Sequence, residues 1–365
     1  MCAGFDVAVI GGGPSGTGLA IALAHAGRTV AVLERSHYDQ VRIGEMLPPR
    51  ARLSLMSLGV WDRFLNEGHA PSPAILSAWG QEELYESHFI FHPYGHGWHL
   101  DRQRFDAMFA QAAEDAGVRV CRGARVTTCL PVASHGWQVE FVSEGRSYSL
   151  QASFLVDAAG RASVVGRWQG AKRIFYDRLV GIVGFCSVRS DTGDPDSQTL
   201  VEAAEDGWWY SAWLPNARLV VAYMTDADLI PNNPERAREH WQSRLEQAPH
   251  THARVSSSVL EAGLRRVAAN SYRRDRLTGT HWLAVGDAAT AFDPLSSRGI
   301  CNALESGLQA ALAVENWRLE DHNALAEYAN WTQGRFDAYL RMRTIYYGRE
   351  KRWPSSAFWQ RRQKA

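Results

Sequence analysis

The run Val7-Ala8-Val9-Ile10-Gly11-Gly12-Gly13-Pro14-Ser15-Gly16 constrains this chain more than any other feature. A buried parallel strand reads as a continuous apolar run, and Phe5 to Ile10 is broken only by Asp6. Gly11 allows a tight turn, Gly13 lets the backbone approach a pyrophosphate, and Gly16 permits close packing of the following helix on the strand. That helix, Ser15 to Ala26, is rich in Ala and Leu and stops at Gly27. Its N-terminal amides and dipole offer a site for phosphate anions. Thr29 to Leu33 forms a second strand that ends in Glu34-Arg35, about 20 residues beyond the glycines. A carboxylate there accepts hydrogen bonds from ribose hydroxyls and repels a 2′-phosphate. A glycine-rich turn without a ligand would account for the glycines alone. It would not account for strand, helix, second strand and terminal acid in register.

Far downstream comes Gly286-Asp287-Ala288-Ala289, followed by Asp293-Pro294-Leu295-Ser296-Ser297-Arg298-Gly299-Ile300. Alone, this is a turn with a capping Asp. Together the two motifs fit the two ends of one cofactor, and that cofactor is FAD. No His or Cys stands in either motif where a covalent link would form, so non-covalent FAD is expected.

Composition narrows the remaining classes. The 39 basic and 39 acidic residues cancel, which gives nucleic acid or an anionic membrane no purchase. The five cysteines are scattered without a C-x-x-C pair, as in reduced thiols rather than a disulfide frame or zinc site. No charged and apolar leader precedes Phe5, and no apolar run approaches ~18 residues, so the expectation is a cytoplasmic protein without a membrane span. Lysine occurs only at Lys172, Lys351 and Lys364, whereas there are 14 tryptophans.

No internal repeat appears. Arg50 to Asn66 reads as helix, and Ile75 to Trp79 and Ser87 to His92 read as strands. Arg102 to Ala116 is an amphipathic helix and Val118 to Val120 a short strand. Arg125 to Val132, Gly136 to Val142 and Arg146 to Leu150 form a meander with period-two alternation, and Phe154 to Val156 returns to a buried strand. Leu179 to Met224 reads as antiparallel strands interrupted by a loop over Ser190 to Ser197. Pro234 to Glu246 is a helix, Ser257 to Val267 strand-like, His281 to Val285 the last buried strand, and Gly299 to Trp317 the helix after it. Asn323 to Gln363 is helical and rich in Trp, Tyr and Arg. The fold class is therefore α/β: a discontinuous Rossmann-like FAD-binding domain (1–70, 99–178, 270–320), an inserted antiparallel-sheet substrate domain (71–98, 179–269), and a C-terminal helical segment (321–365).

Several ordered motifs resemble the flavin-dependent aromatic hydroxylase and halogenase superfamily, which has the para-hydroxybenzoate hydroxylase fold. They are Gly11-x-Gly13-x-x-Gly16, Glu34, Arg42-x-Gly44-Glu45, Asp101-Arg102-x-x-Phe105-Asp106, Asp157-Ala158-x-Gly160-Arg161-x-Ser163, and Gly286-Asp287 through Gly299. The resemblance implies that Asp287 holds the ribityl chain, Pro294 stacks on a flavin face, and the amides at Gly299 and Ile300 point at flavin N1 and O2. It sends Arg42 and Arg102 to the phosphates and ribose and the Arg125-Val126 strand past the adenine. A helix dipole beside N1 stabilises an anionic reduced flavin.

The tryptophan halogenases share Gly44-Glu45, but they use a lysine after that motif, and this chain has none before Lys172. Their Trp-x-Trp-x-Ile-Pro signature is met only by Trp208-x-Tyr210-x-Ala212. Gly207 to Ala212, Ala222 to Asp228, Asp293 to Ser297 and Trp353-Pro354-x-x-x-Phe358-Trp359 are similar to a narrower group. These are the flavoproteins that accompany tryptophylquinone enzymes such as lysine ε-oxidase, glycine oxidase and quinohemoprotein amine dehydrogenase. That similarity implies a monooxygenase acting through a flavin C4a-hydroperoxide, with O2, on a tryptophan of a partner quinoprotein precursor. Electrons would come from NAD(P)H or a separate reductase, since only one dinucleotide fingerprint is present. Glu45, Pro294 and Gly299 are the catalytic candidates, and Phe91, His92, Trp98, Trp208, Tyr210 and Trp213 the substrate-pocket candidates. Two alternatives remain: a hydroxylase of a free small aromatic, and a maturation chaperone with structural FAD that docks through Trp353, Phe358, Trp359, Arg361 and Arg362. A prenyl-chain reductase would need an aliphatic pocket.

Overall fold

The computed structural model describes residues 4–132, 136–188, 197–261 and 263–363. The expected loop at Ser190, up to residue 196, lies outside them. Two large sheets organise the chain. The first runs in the order Thr278–Gly279, Trp282–Ala284, Arg146–Asp157, Gly4–Ile10, Val30–Leu33, Arg119–Cys121. All but the first of these strands are parallel to their neighbours, and the central residues Val7, Ala8, Val9 and Leu155 are fully buried. Burial on both faces is why these segments read as unbroken apolar runs.

Arg146 to Leu150 and Phe154 to Val156, expected as two strands, are one strand of 12 residues. Its first half pairs antiparallel with Gly136–Ser143, and its second half runs parallel to Gly4–Ile10. The change from period-two to fully apolar sequence marks the change of partner, not a break. The expected helix over Arg50 to Asn66 is instead two, Ala51–Ser57 and Trp61–Asn66. Between them the Gly59 and Val60 amides return to Met56 and Leu55, a Schellman closure that also ends the Pro14–His25 helix at Gly27 and the Arg102–Asp115 helix at Gly117.

The second sheet has the order Ser258–Leu260, Leu179–Val188, Arg218–Asp226, Gly207–Leu214, Thr199–Ala204, Ala74–Ala78, Tyr85–His88. Ser257 to Val267 resolves into Ser258–Leu260 and Arg265–Ala268, both paired with Leu179–Val188. A three-stranded patch, Met46–Leu47, Gly97–His99 and Ala70–Ser72, fixes the segment that carries Glu45, whose carbonyl accepts from the Leu100 amide.

The C-terminal segment consists of the helices Ala324–Arg349 and Ala357–Gln363. Three of the tail residues expected to dock are buried. Phe358 and Trp359 are fully buried beside Trp79, Trp208 and Tyr347, and the Trp359 indole donates to the Ala204 carbonyl. Arg362 is buried with them and is held by Asp226. Apolar area and the ion pair with Asp226 hold Phe358, Trp359 and Arg362 inside the protein, while Arg361 stays exposed. No helix among the described residues is long and apolar enough to cross a membrane, and no cluster of His, Cys, Asp or Glu among them is arranged to hold a metal.

Candidate functional site

The two glycine motifs follow the C-terminal ends of two parallel strands, Gly4–Ile10 and Trp282–Ala284, that flank Arg146–Asp157 in the sheet, and open α/β sheets place ligands at that edge. Contact between the Pro14–His25 and Gly299–Arg318 helices brings them together. A Cβ at Gly16 would stand 2.1 Å from the Gly11 carbonyl oxygen, and one at Gly286, where φ is +56°, would stand 2.6 Å from Ser15 Oγ. At Gly13 and Gly299 the same position opens onto free space. Both helices start without a side-chain cap: Gly13 and Arg298 precede them, and Pro14 has no N–H to satisfy. Two sets of first-turn amides are therefore left without a side-chain cap, as in helix starts that receive an anion. That arrangement fits a molecule with a pyrophosphate at one end and an electron-accepting ring at the other.

Glu34 is buried at the end of its strand. Its carboxylate accepts from the Gly12 amide at 2.7 Å, from Ser36 through both N–H and Oγ, and from Arg42 at 3.1 Å. Burial alone would raise its pKa, but these donors prevail and hold it below the usual carboxylate range. Arg35, beside it, is exposed. Arg42 and Arg102 converge on Asp106, whose side chain is 1% exposed: Arg42 reaches it at 3.1 Å, and Arg102 grips it with two nitrogens while also donating to the carbonyls of Ile43 and Gly44. Asp106 is thus the hub that aims both arginines, a role its place in the motif did not disclose.

Arg125 and Val126 lie at the start of the Arg125–Val132 strand, Arg125 exposed and Val126 half-buried. Asp157 is fully buried and caps the turn after its strand, accepting from Ala159, Ser163 and Gly166, while Gly160 opens onto free space. The Asp287 side chain, 42% exposed, stands 3.7 Å from Arg161. Pro294 and Gly299 are exposed and Ile300 is buried. Asp293, one residue before Pro294, is buried, caps the turn by accepting from the Leu295 amide, and accepts from the Tyr347 hydroxyl at 2.8 Å.

Glu45 is 2% exposed, and its Oε1 has no hydrogen-bond partner. Burial pushes its carboxyl up to about 7, against the pull of nearby Arg102. The Tyr210 hydroxyl is likewise buried without a partner, and its pKa is raised by burial and by the charge of Glu45. Two buried oxygens without partners thus share one region, which makes it a candidate functional site.

The substrate-pocket candidates do not come together. Alternation along Gly207–Leu214 puts Trp208 and Tyr210 on one face and Trp209 with Trp213 on the other, in a separate core with Tyr223 and Trp241. Trp208 is core, its indole donating to Tyr347 at 3.0 Å. Trp98 joins Trp61 and Phe64 in the core of the first domain. His92 accepts from the Tyr94 amide, and Phe91 is 95% exposed. Aromatic content alone did not tell lining from packing. What it missed is a stripe at helical spacing on Ala324–Arg349: Trp331, Arg335, Tyr339, Arg343, Tyr347. Trp331 and Arg335, with Thr332, wall a cleft whose other side is Gly286, Asp287, Gly299 and Asn302. Tyr339 accepts from the Asp293 amide.

A family model described as an FAD binding domain matches residues 4–313. The chain is 31% identical to the putative FAD-dependent oxidoreductase LodB of Marinomonas mediterranea, over 98% of this chain and 96% of that one. Among solved structures it is similar to the myxobacterial chondrochloren halogenase CndH, with TM-score 0.89 and 25% identity over 99% of this chain and 86% of that one. It is also similar to QhpG, a peptidyl tryptophan dihydroxylase essential for tryptophylquinone cofactor biogenesis, with TM-score 0.81 and 25% identity over 99% and 79%.

Proposed function

The chain belongs to the FAD-binding family of flavin-dependent monooxygenases and halogenases, and on that premise we propose that it oxygenates a tryptophan side chain held in a partner polypeptide during tryptophylquinone biogenesis. The observation that carries this reading is the likeness, along 99% of the chain, to a protein described as a peptidyl tryptophan dihydroxylase. The amides of Ser15 and Gly16 would receive the pyrophosphate, Glu34 the ribose, Asp287 the ribityl chain, and the amides of Gly299 and Ile300 the negative charge of the reduced ring. Reduced FAD supplies the oxygen activation, with electrons from NAD(P)H or a separate reductase. Pro294 and Gly299 leave the ring end accessible, as a polypeptide substrate requires. Glu45 holds or releases a proton near neutrality and orients an indole N–H with its free oxygen.

Halogenation is the second reading, favoured by the likeness to a chondrochloren halogenase. Against it stands the lysine distribution: Lys172 and Lys351 are both exposed, and no lysine follows the Gly44-Glu45 segment before Lys172. FAD-loaded, reduced protein given oxygen, bromide and free tryptophan is expected to yield peroxide and no brominated indole by mass spectrometry. A brominated product would replace the oxygenase reading with the halogenase one. Efficient hydroxylation of a free phenol or free tryptophan would instead favour a small-molecule hydroxylase.

A further inference from the structure

A cavity of about 350 Å3 lies between the Ala324–Arg349 helix, the last helix and the turn at Tyr176 to Arg178, and it shares no lining residue with the nucleotide cleft. Four guanidinium groups, Arg178, Arg343, Arg361 and Arg362, line it with two carboxylates, Asp177 and Asp226. The two sides differ in what they have left to offer. A carboxylate has about four acceptor positions and a guanidinium five donors. Asp226, 1% exposed, accepts one bond from Arg361 and two from Arg362, at 2.7 to 3.1 Å. Asp177 accepts from the amides of Leu179 and Ser271 and pairs with Arg343 at 3.0 Å. Its capacity, like that of Asp226, is nearly used. Asp228 and Asp293, beside the cavity, are engaged by Arg361 and by Tyr347.

The donors are not exhausted. Arg362 spends three N–H groups on Asp226 and the Phe358 carbonyl, yet its Nε has no partner, although its side chain is only 2% exposed. Arg343 Nε is also without a hydrogen bond, 3.5 Å from Asp293. Arg178 lies near Asp228 and makes no side-chain hydrogen bond among the described residues. Counting Asp228 and Asp293 beside the cavity, four carboxylates balance the four guanidinium groups, so hydrogen-bond capacity rather than net charge selects the ligand. The Nε atoms of Arg343 and Arg362 are themselves buried, so the donors within reach of a ligand are those of Arg178 and the remaining guanidinium nitrogens of Arg343. Beside spent carboxylates they call for a molecule that only accepts, and planar guanidinium forks match carboxylate and phosphate oxygens. The volume stands near the lower end for ligand pockets, which sets the size. We propose that this cavity is a binding site for a small anion of the carboxylate or phosphate type, gripped by Arg178 and Arg343.

Calorimetric titration of the FAD-loaded protein with succinate and, separately, with inorganic phosphate at constant ionic strength tests this, with chloride as the control. Saturable one-site binding of either anion is expected, and the tighter of the two identifies the source of the ligand. Arg178→Ala should weaken that binding at least tenfold, as loss of a charge-assisted hydrogen bond does. Because Arg178 is exposed and makes no side-chain hydrogen bond, the variant should keep its flavin and its Tm. No binding of either anion beyond the chloride control, or an affinity unchanged in Arg178→Ala, would overturn the proposal.

Discussion

Glu45→Gln is expected to make the protein more stable above pH 7, by about 3 kcal/mol, while removing a titration from its chemistry. Burial raises the Glu45 carboxyl from 4.5 to about 7 in the folded chain. A carboxyl that is harder to ionise folded than unfolded costs nothing below the unfolded value. The cost grows between pH 4.5 and 7 by about 1.4 kcal/mol per pH unit and is complete above pH 7. Gln keeps the shape and has no charge to desolvate. Denaturant unfolding at pH 4 and pH 8 checks the sign: the two proteins should differ little at pH 4, with the variant clearly ahead at pH 8. The same residue should give the oxygenation rate an inflection near pH 7 that is absent from the variant, with the rate down by about 100-fold or more if Glu45 moves the proton. A variant no more stable at pH 8 would mean that Glu45 is not a buried, strained acid. Stability given up at an unpartnered polar group is what a working site looks like.

Asp106→Ala should act in the opposite direction, lowering stability by about 3 kcal/mol. It removes the buried carboxylate between Arg42 and Arg102 and leaves two cations without it. The lower end of the usual cost applies because Arg42 is 29% exposed and keeps Glu34, while Arg102 keeps the carbonyls of Ile43 and Gly44. Spread over 365 residues, that is a fall of roughly 4 °C in Tm. FAD should be held more weakly as well, since both arginines lose their aim. An unchanged Tm would remove Asp106 as the hub.

Much of the first domain was legible because its constraints are local. Gly11 to Gly16, Glu34 and Gly286 to Ile300 are each a turn, a strand end or a helix start, where backbone geometry dictates residue type. Two more strands of the first sheet were legible for the same reason: Phe154 to Val156 and Trp282 to Val285 both carry the fully apolar signature of a strand buried on two faces. Side-chain destinations were not legible. Period two in Gly207–Leu214 separates Trp208 from Trp213, but nothing local says which face meets the cofactor and which meets Trp241. The ion pairs between Asp226 and Arg361 or Arg362 join residues whose sequence separation hides them, so the burial of Phe358, Trp359 and Arg362 could not be read from the composition of the tail. The Trp331-Arg335-Tyr339-Arg343-Tyr347 stripe was in plain view as a four-residue repeat. Its meaning emerged only once that face was seen against Asp293 and Asn302.

The most direct measurement is the intact mass of an unprocessed quinoprotein precursor after exposure to the FAD-loaded enzyme, an electron donor and oxygen. The precursor is expected to gain mass in steps of one oxygen atom, located by fragmentation on a tryptophan, and to gain none without the enzyme or without oxygen. A precursor left unchanged while the same enzyme preparation consumes oxygen and modifies a free small aromatic would contradict the assignment.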